Sequence, residues 1–281
     1  MDLADLPQPT AQACRSVPVR SLRAGQWVDG QDSVVEEVPV ALEYNGISHA
    51  VMMATPTDLE DFACGFSVTE GIVNSVAQIH DMEWLPSAQG HTLRLTIAAS
   101  CFAGLKERRR NLTGRTGCGL CGTESLDQAV RLPAPLAKPH TFSAAAVARA
   151  MAGMREQQVL LAATGASHAA AWCNATGEIV LLREDVGRHN ALDKLVGALL
   201  RAVQPVDSGF IVVTSRASYE MVQKTATAGV SLLAAVSGVT ALAVQVAQEA
   251  GVTLLGFTRG QDASVYSHPE RFILDSSTSD A

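Results

Sequence analysis

Residues 210–260 read FIVVTSRASYEMVQKTATAGVSLLAAVSGVTALAVQVAQEAGVTLLGFTRG. Two periods alternate in this stretch. Phe210–Thr214, Val230–Val236 and Val252–Thr258 are short apolar runs, whereas Tyr219–Ala228 and Thr240–Ala250 repeat with helical spacing. Strand–helix–strand alternation of this length predicts a largely parallel sheet covered by helices on both faces. Such sheets take ligands at the carboxyl ends of their strands. Ser215, Arg216, Arg259 and Gly260 fall at those ends, and Gly260 permits close backbone approach to a phosphate.

The pattern extends upstream. Ala169–Cys173 and Glu178–Leu182 read as strands, and Ser143–Gln158 and His189–Val203 as helices, the latter with Leu192, Leu195, Val196, Leu199 and Leu200 on one face. Pro133, Pro135 and Pro139 mark Leu132–His140 as an extended connector. Before it, Asn45-Gly46 predicts a hairpin of Val34–Tyr44 with Ile47–Ala54. A helix over Leu59–Glu70 follows, with Asp58 expected as its cap and Gly71 as its stop. Strands near Gln78–Leu85 and Thr92–Ala98 are joined at Gln89-Gly90. The expected division is an N-terminal α+β part, residues 1–135, and a C-terminal α/β domain, residues 140–281.

Composition excludes several classes. The chain has 281 residues, 47% hydrophobic and 17% charged, which is a packed protein and neither a disordered nor a fibrous one. A net charge of −7 argues against general binding to nucleic acid or an acidic membrane. Between Lys224 and Glu249 lie 24 uncharged residues, long enough to span a bilayer, but Ser237-Gly238 divides them and the expected reading is buried core. Asp2, Asp5, Pro7 and Pro9 near the start do not resemble a secretory leader, and six scattered cysteines do not suggest a disulfide scaffold. The expectation is a soluble, cytoplasmic protein.

Arg108–Ser125 reads RRRNLTGRTGCGLCGTES. Gly114, Gly117, Gly119 and Gly122 make it a loop, and Cys118 and Cys121 have C-x-x-C spacing. Lys106–Arg115 carries five positive charges and one negative, and neighbouring guanidiniums favour thiolate over thiol. Structural zinc wants four ligands, and here there is one pair, so further ligands would come from afar or from another subunit. A dithiol oxidoreductase places the pair at a helix start, which these glycines fit poorly. The zinc-deaminase pattern fails, because the only H-x-E, His268-Pro269-Glu270, lies far downstream. Sulfur transfer uses every feature. One thiolate of the pair takes sulfane sulfur as a persulfide, and the other thiol can attack the inner sulfur and expel sulfide, leaving a disulfide.

Arg183, Glu184, Asp185, Arg188, His189 and Asn190 crowd around Gly187, between a strand and a helix. They read equally as an anion site at a helix start or as a capping cluster containing a buried Arg–Glu pair. Lys224 joins this group, although a mid-helix lysine is usually solvated. His168 before an apolar strand is more often a hydrogen-bonded core residue than a ligand.

The chain resembles the FdhD/NarQ family of formate dehydrogenase accessory sulfurtransferases. The resemblance rests on EGIV at Glu70–Val73, RTGCGLCG at Arg115–Gly122, TGASHAA at Thr164–Ala170, REDVGRHNALDKLVG at Arg183–Gly197 and SRASYEMVQK at Ser215–Lys224, and it continues to GFTRG and VYSHPERF. It implies a C-terminal cytidine-deaminase-like α/β/α domain without the zinc site, a smaller N-terminal α+β part and a mobile cysteine loop spanning residues 106–125. It implies a carrier that receives sulfur from a cysteine desulfurase on Cys118, Cys121 assisting. The recipient is the bis-molybdopterin guanine dinucleotide form of the molybdenum cofactor, destined for the formate dehydrogenase catalytic subunit. Cofactor contacts are implied at Phe257, Thr258, Arg259, Gly260, Gln261 and Asp262, and extended to Ser215, Arg216, Arg188, His189 and Lys224. No structural metal is expected, and the family is typically dimeric. Ala166, Ser215, Asp262 and Ser264 depart from the family pattern, and an acidic Asp262 suits a guanine edge better than a diphosphate. A cofactor-binding chaperone that moves no sulfur is the alternative.

Overall fold

The computed structural model describes residues 12–112, 132–137 and 140–274, with side chains of 108–112 outside the description. Cys118 and Cys121, and the loop reading from residue 113 onward, fall outside the described residues, while residues 106–112, expected to open that loop, are instead the end of a helix.

The N-terminal part has two sheets. Strands β1 (Cys14–Arg23) and β2 (Gln26–Val35) form an exposed antiparallel hairpin that the sequence reading did not anticipate. Its turn, Ala24-Gly25, has φ of 48° and 81°. Positive φ at both central residues is the primed turn that asparagine and glycine normally announce, and Ala24 conceals it. Strands β3 (Val38–Tyr44) and β4 (Ile47–Ala54) meet at Asn45-Gly46 as expected, with Tyr44 opposite Ile47. Strands β5 (Ile79–Ser87) and β6 (Gly90–Ile97) complete a sheet in the order β4-β3-β6-β5, the connecting turn being Ala88-Gln89.

Helix α1 (Leu59–Thr69) lies on this sheet and is buried at every position except Glu60. A helix apolar or small all round is one covered on both sides. Phe62, Phe66 and Val68 pack with Val40, Leu42, Leu93 and Leu95 of the sheet. Asp58 does precede the helix, but it sits at φ 52° with no capping bond from its side chain, which points toward Arg183 at 3.6 Å. Helix α2 (Ala99–Leu112) leads away from β6 toward the cysteine segment.

The C-terminal part opens with the short strand β7 (Phe142–Ser143), which pairs in parallel with Phe272–Ile273. Its main sheet has six strands, β8 (His168–Cys173), β9 (Ile179–Asp185), β10 (Phe210–Val213), β11 (Leu232–Ala235), β12 (Thr253–Arg259) and β13 (Asp262–Ser267), in the order β13-β12-β11-β10-β8-β9. Only β10, β11 and β12 run parallel; β8–β9 and β12–β13 are antiparallel hairpins. The sheet is therefore mixed rather than largely parallel. The connections after Cys173 and Arg259 are too short to hold the crossover a parallel neighbour requires.

Helices α3 (Ala144–Gln157) and α4 (Val159–Thr164) precede the sheet, and α5 (Arg188–Arg201), α6 (Tyr219–Thr227) and α7 (Ala241–Ala250) connect its strands. Alternation divides the sheet side chains between two cores. Ala170, Trp172, Ile211, Val213, Leu233 and Leu254 face α5, α6 and α7. Ala171, Cys173, Phe210, Val212 and Leu255 face Ala146, Val147, Ala150 and Met154 of α3. The 24-residue uncharged run is thus spent on the end of α6, on β11 and on α7, and no described helix is long and apolar enough to cross a membrane.

The two parts meet where α1 crosses α5. A Cβ on Gly65 would lie 1.8 Å from the Asp193 carbonyl oxygen, and one on Gly197 would lie 1.8 Å from that of Asp61. Backbone touches backbone, and only glycine on both helices permits it.

Candidate functional site

The sequence motif Arg183–Lys194 spends most of its polar side chains inside the protein. Asp185 accepts hydrogen bonds from the backbone N–H groups of Thr55 and Gly187, and its carboxylate is 2.7 Å from Lys194 Nζ, both side chains fully buried. Lys194 also donates to the Thr55 carbonyl, and Asn190 to that of Met53. Arg183 reaches Asp61 at 2.8 Å, not Glu184. Glu184 instead accepts from the N–H groups of Leu160 and Leu161 and from the Ser167 hydroxyl, capping α4. This half of the cluster is structural, and it docks α1 and β4 onto the C-terminal sheet.

Lys224, expected among the cofactor contacts and otherwise as a solvated side chain, is neither exposed nor free. It is 3% exposed, with Nζ at 3.0 Å from both Asp193 carboxylate oxygens, 2.8 Å from Glu70 and 3.0 Å from the Thr69 hydroxyl. Burial opposes the ammonium, but Asp193 and Glu70 outweigh it and hold its pKa above the ordinary lysine value. A lysine whose donors are all engaged by the chain joins two helices; it is not presented to a ligand.

Arg188 and His189 have a different surrounding. Strand pairing sets Asp185 opposite His168, and Ala170 opposite Val213, so the end of β9, the start of β8 and the end of β10 share one edge of the sheet. The loops after β10 and β11 are tied there by Ala217 N–H to Gly238 O, Thr240 N–H to Ala217 O and Phe257 N–H to Ser237 O. One edge therefore carries His168, Arg188, His189, Ser215, Arg216 and the hairpin tip Phe257–Asp262. Helices α5, α6 and α7 all begin there, bringing the positive ends of three dipoles to it.

Three further features mark this edge. Arg188 Nε, His189 Nε2, Ser218 Oγ and Thr258 Oγ1 are buried polar atoms without a hydrogen-bond partner, a condition native interiors rarely tolerate. Phe257 is 57% exposed at φ 52°, and its ring lies over Gly238, where a Cβ would come within 3.1 Å. A bulky residue in the left-handed region is strained, and such strain collects at binding sites. Arg259, Gly260, Gln261 and Asp262 form an exposed two-residue turn, with Gly260 at φ 57° and Arg259 opposite Asp262. Sequence reading placed this segment at a bare strand end and missed β13, whose alternating DASVYS is the signal that could have found it.

Ser215 is nearly buried, its hydroxyl donating to the Arg216 carbonyl, while Arg216 is exposed. His189 Nε2 lies 2.7 Å from a Glu220 carboxylate oxygen, a partner that sequence reading did not name. Burial, and then Arg188, hold the His168 pKa below the ordinary histidine value, so it is neutral at pH 7. From β9 to β12 is four strand spacings, about 19 Å, so a ligand touching both ends has to be extended. A separate hollow of about 420 Å³ lies at the start of α1, but Asp58, Glu60 and Asp61 on its wall are already matched by Arg183 and Arg201.

Comparison with known proteins fits this geometry into a lineage. The chain is 56% identical over 271 residues to a protein of Variovorax paradoxus named Sulfur carrier protein FdhD, covering 96% of this chain and 97% of that one. A protein of the same name from Cupriavidus necator is 55% identical over 249 residues, covering 89% and 86%. In structure, the chain resembles a crystal structure from Desulfotalea psychrophila described as a formate dehydrogenase accessory protein, with TM-score 0.72, 23% identity, and coverage of 93% of this chain and 100% of that one. At that identity the likeness speaks for the fold. Residues 35–273 match the model of the FdhD/NarQ family, and the chain belongs to that family.

Proposed function

We propose that this protein is a sulfur carrier for formate dehydrogenase maturation, accepting sulfur on Cys118 and delivering it to a guanine-nucleotide-bearing molybdenum cofactor. The observation that carries the reading is the C-x-x-C pair of a basic, glycine-rich segment in a chain 56% identical, nearly end to end, to a named sulfur carrier. In the loading step the Cys118 thiolate attacks the outer sulfur of a cysteine desulfurase persulfide. A new S–S bond forms at Cys118, and the donor cysteine leaves as a thiolate. Cys121 is the nucleophile that later releases the sulfur, forming a disulfide with Cys118.

The sheet edge supports the recipient's identity. Phe257 offers a stacking surface for a base, Asp262 an acceptor for the guanine N–H edge, and Arg188, Arg216, Arg259 and the helix starts a positive setting for diphosphate. The C-terminal sheet, with its leading β8–β9 hairpin and three parallel strands, supports a deaminase-like domain. We place the protein in the cytoplasm as a homodimer that meets a desulfurase and the dehydrogenase catalytic subunit.

Calorimetry with GDP and ADP tests the recipient. GDP should bind, with affinity falling as salt rises, and ADP should bind more weakly; equal affinities would remove the guanine assignment. Maturation of formate dehydrogenase in cells carrying Cys118→Ala separates carrier from chaperone. The carrier reading predicts loss of dehydrogenase activity, and retained activity would favour the chaperone.

A further inference from the structure

Helices α5 and α6 pack against each other and both begin at the sheet edge. Neither start is capped by its own N-cap side chain: Gly187 has none to offer, and the Ser218 hydroxyl makes no capping bond. Such starts leave backbone N–H groups that attract an anion. Arg188, with its buried and unpartnered Nε, and His189 add to that attraction. The group found there is an anion from the chain itself. Glu220, in the first turn of α6, places a carboxylate oxygen 2.7 Å from His189 Nε2 and remains 32% exposed.

The other ionisable groups facing this pair are accounted for. Asp185 is engaged by Lys194, Lys224 by Asp193 and Glu70, and His168 is neutral at pH 7. Glu220 is thus the negative charge beside His189, with the charges of Lys224 and Arg188 also acting on it, and its partial exposure gives it room to leave.

We propose that Glu220 is a resident anion in a phosphate subsite, occupying the place beside His189 and Arg188 that a phosphate oxygen of a nucleoside diphosphate takes when it displaces the carboxylate. The inference rests on the reading of this edge as a nucleotide site. It adds that affinity there is set by a competitor built into α6. Displacement exchanges one oxyanion for another beside His189 Nε2, while Glu220 turns to water.

Equilibrium binding of inorganic pyrophosphate, GDP and guanosine to the full chain tests it, at constant ionic strength and pH 7.5. Glu220→Gln keeps the shape and removes the charge. It should tighten pyrophosphate and GDP by ~10-fold and leave guanosine unchanged, with Glu220→Asp falling between variant and wild type. Adding His189→Gln to Glu220→Gln should erase the gain. If Glu220→Gln binds pyrophosphate no tighter than wild type while GDP still binds, the resident-anion inference is overturned and the nucleotide reading stands. If no protein, wild type or variant, binds any of the three, both fall. Thermal unfolding of each variant identifies one that is misfolded, and Glu220→Asp then carries the comparison.

Discussion

At the scale of single residues, Lys224 shows how little a side chain's type says about its setting. Its ammonium has lost water and gained three oxygen-bearing partners, and removing it leaves Asp193, itself 2% exposed, with the Thr69 hydroxyl but no compensating charge from Lys224. Lys224→Met is therefore expected to lower stability by about 3–5 kcal/mol, with Asp193→Asn in the same chain restoring part of the loss. Burial pushes the Asp193 carboxyl upward, against the pull of Lys224 and Thr69, while Asp193 and Glu70 hold Lys224 above the ordinary lysine value despite its burial. A folded lysine pKa raised above the unfolded value of about 10.4 means a contribution fully present below that pH and lost only above it. Denaturant titrations should show the wild-type advantage over Lys224→Met still present at pH 9 and shrinking above pH ~10.5.

The cysteines divide at the same scale. Burial pushes Cys64 up to about 11 and Cys173 up to about 12, so both are thiols at neutral pH. Iodoacetamide at pH 7.5 should spare Cys64 and Cys173 in the folded protein and modify them after unfolding; rapid labelling of either in the native state would contradict their burial. The sequence attaches no motif to either cysteine. Nor does it reveal the setting of Lys224, because its partners Glu70 and Asp193 are 154 and 31 residues away.

Among the elements, the crossing of α1 and α5 decides whether the two parts of the chain stay together. Gly65→Ala and Gly197→Ala each force a methyl group into opposing backbone, and each is expected to cost roughly 3 kcal/mol, at the upper end for overpacking. Both substitutions separate the same two helices, so the double variant should cost less than the sum. Denaturation midpoints of the four proteins check this, and simple additivity would mean that the helices do not move as units. Helices α1, α3, α5, α6 and α7 were legible from their apolar spacing, with ends displaced by a residue or two, whereas α2 and the short α4 were missed. The crossing was not, because a glycine within a helical pattern looks the same whether it faces water or another backbone. Asp58 likewise reads as an ordinary cap, yet its carboxylate turns toward Arg183, a residue of a distant strand. Phe257 belongs to this scale too: Phe257→Ala is expected to weaken GDP binding by ~10-fold or more, in line with about 1–3 kcal/mol per stacked base, measured by calorimetry.

For the molecule as a whole, the sequence divides at its proline connector but the structure does not come apart there. The N-terminal part is held by Asp61 to Arg183 and Arg201, by Thr55 to Asp185 and Lys194, and by Thr69 and Glu70 to Lys224. The motif from Arg183 to Lys194 is thus mostly the docking surface between the parts, with Arg188 and His189 left for the sheet edge. Period and turn residues were enough to expect an α/β domain with ligand groups at one edge. They were not enough to see that the sheet is mixed, because the sense of a strand depends on the route of its connections. Local composition suggests thiol chemistry for the C-x-x-C pair, since basic residues, glycines and a second thiol all lie within one short segment, and the family resemblance singles out Cys118.

The central claim is that Cys118 carries sulfur. Intact-protein mass spectrometry, after incubation with an active cysteine desulfurase and cysteine, tests it most directly in wild type and Cys118→Ala. A gain of one sulfur mass that a reductant removes, present in wild type and absent from the variant, is the predicted result. No gain in wild type, or an equal gain in Cys118→Ala, would contradict it.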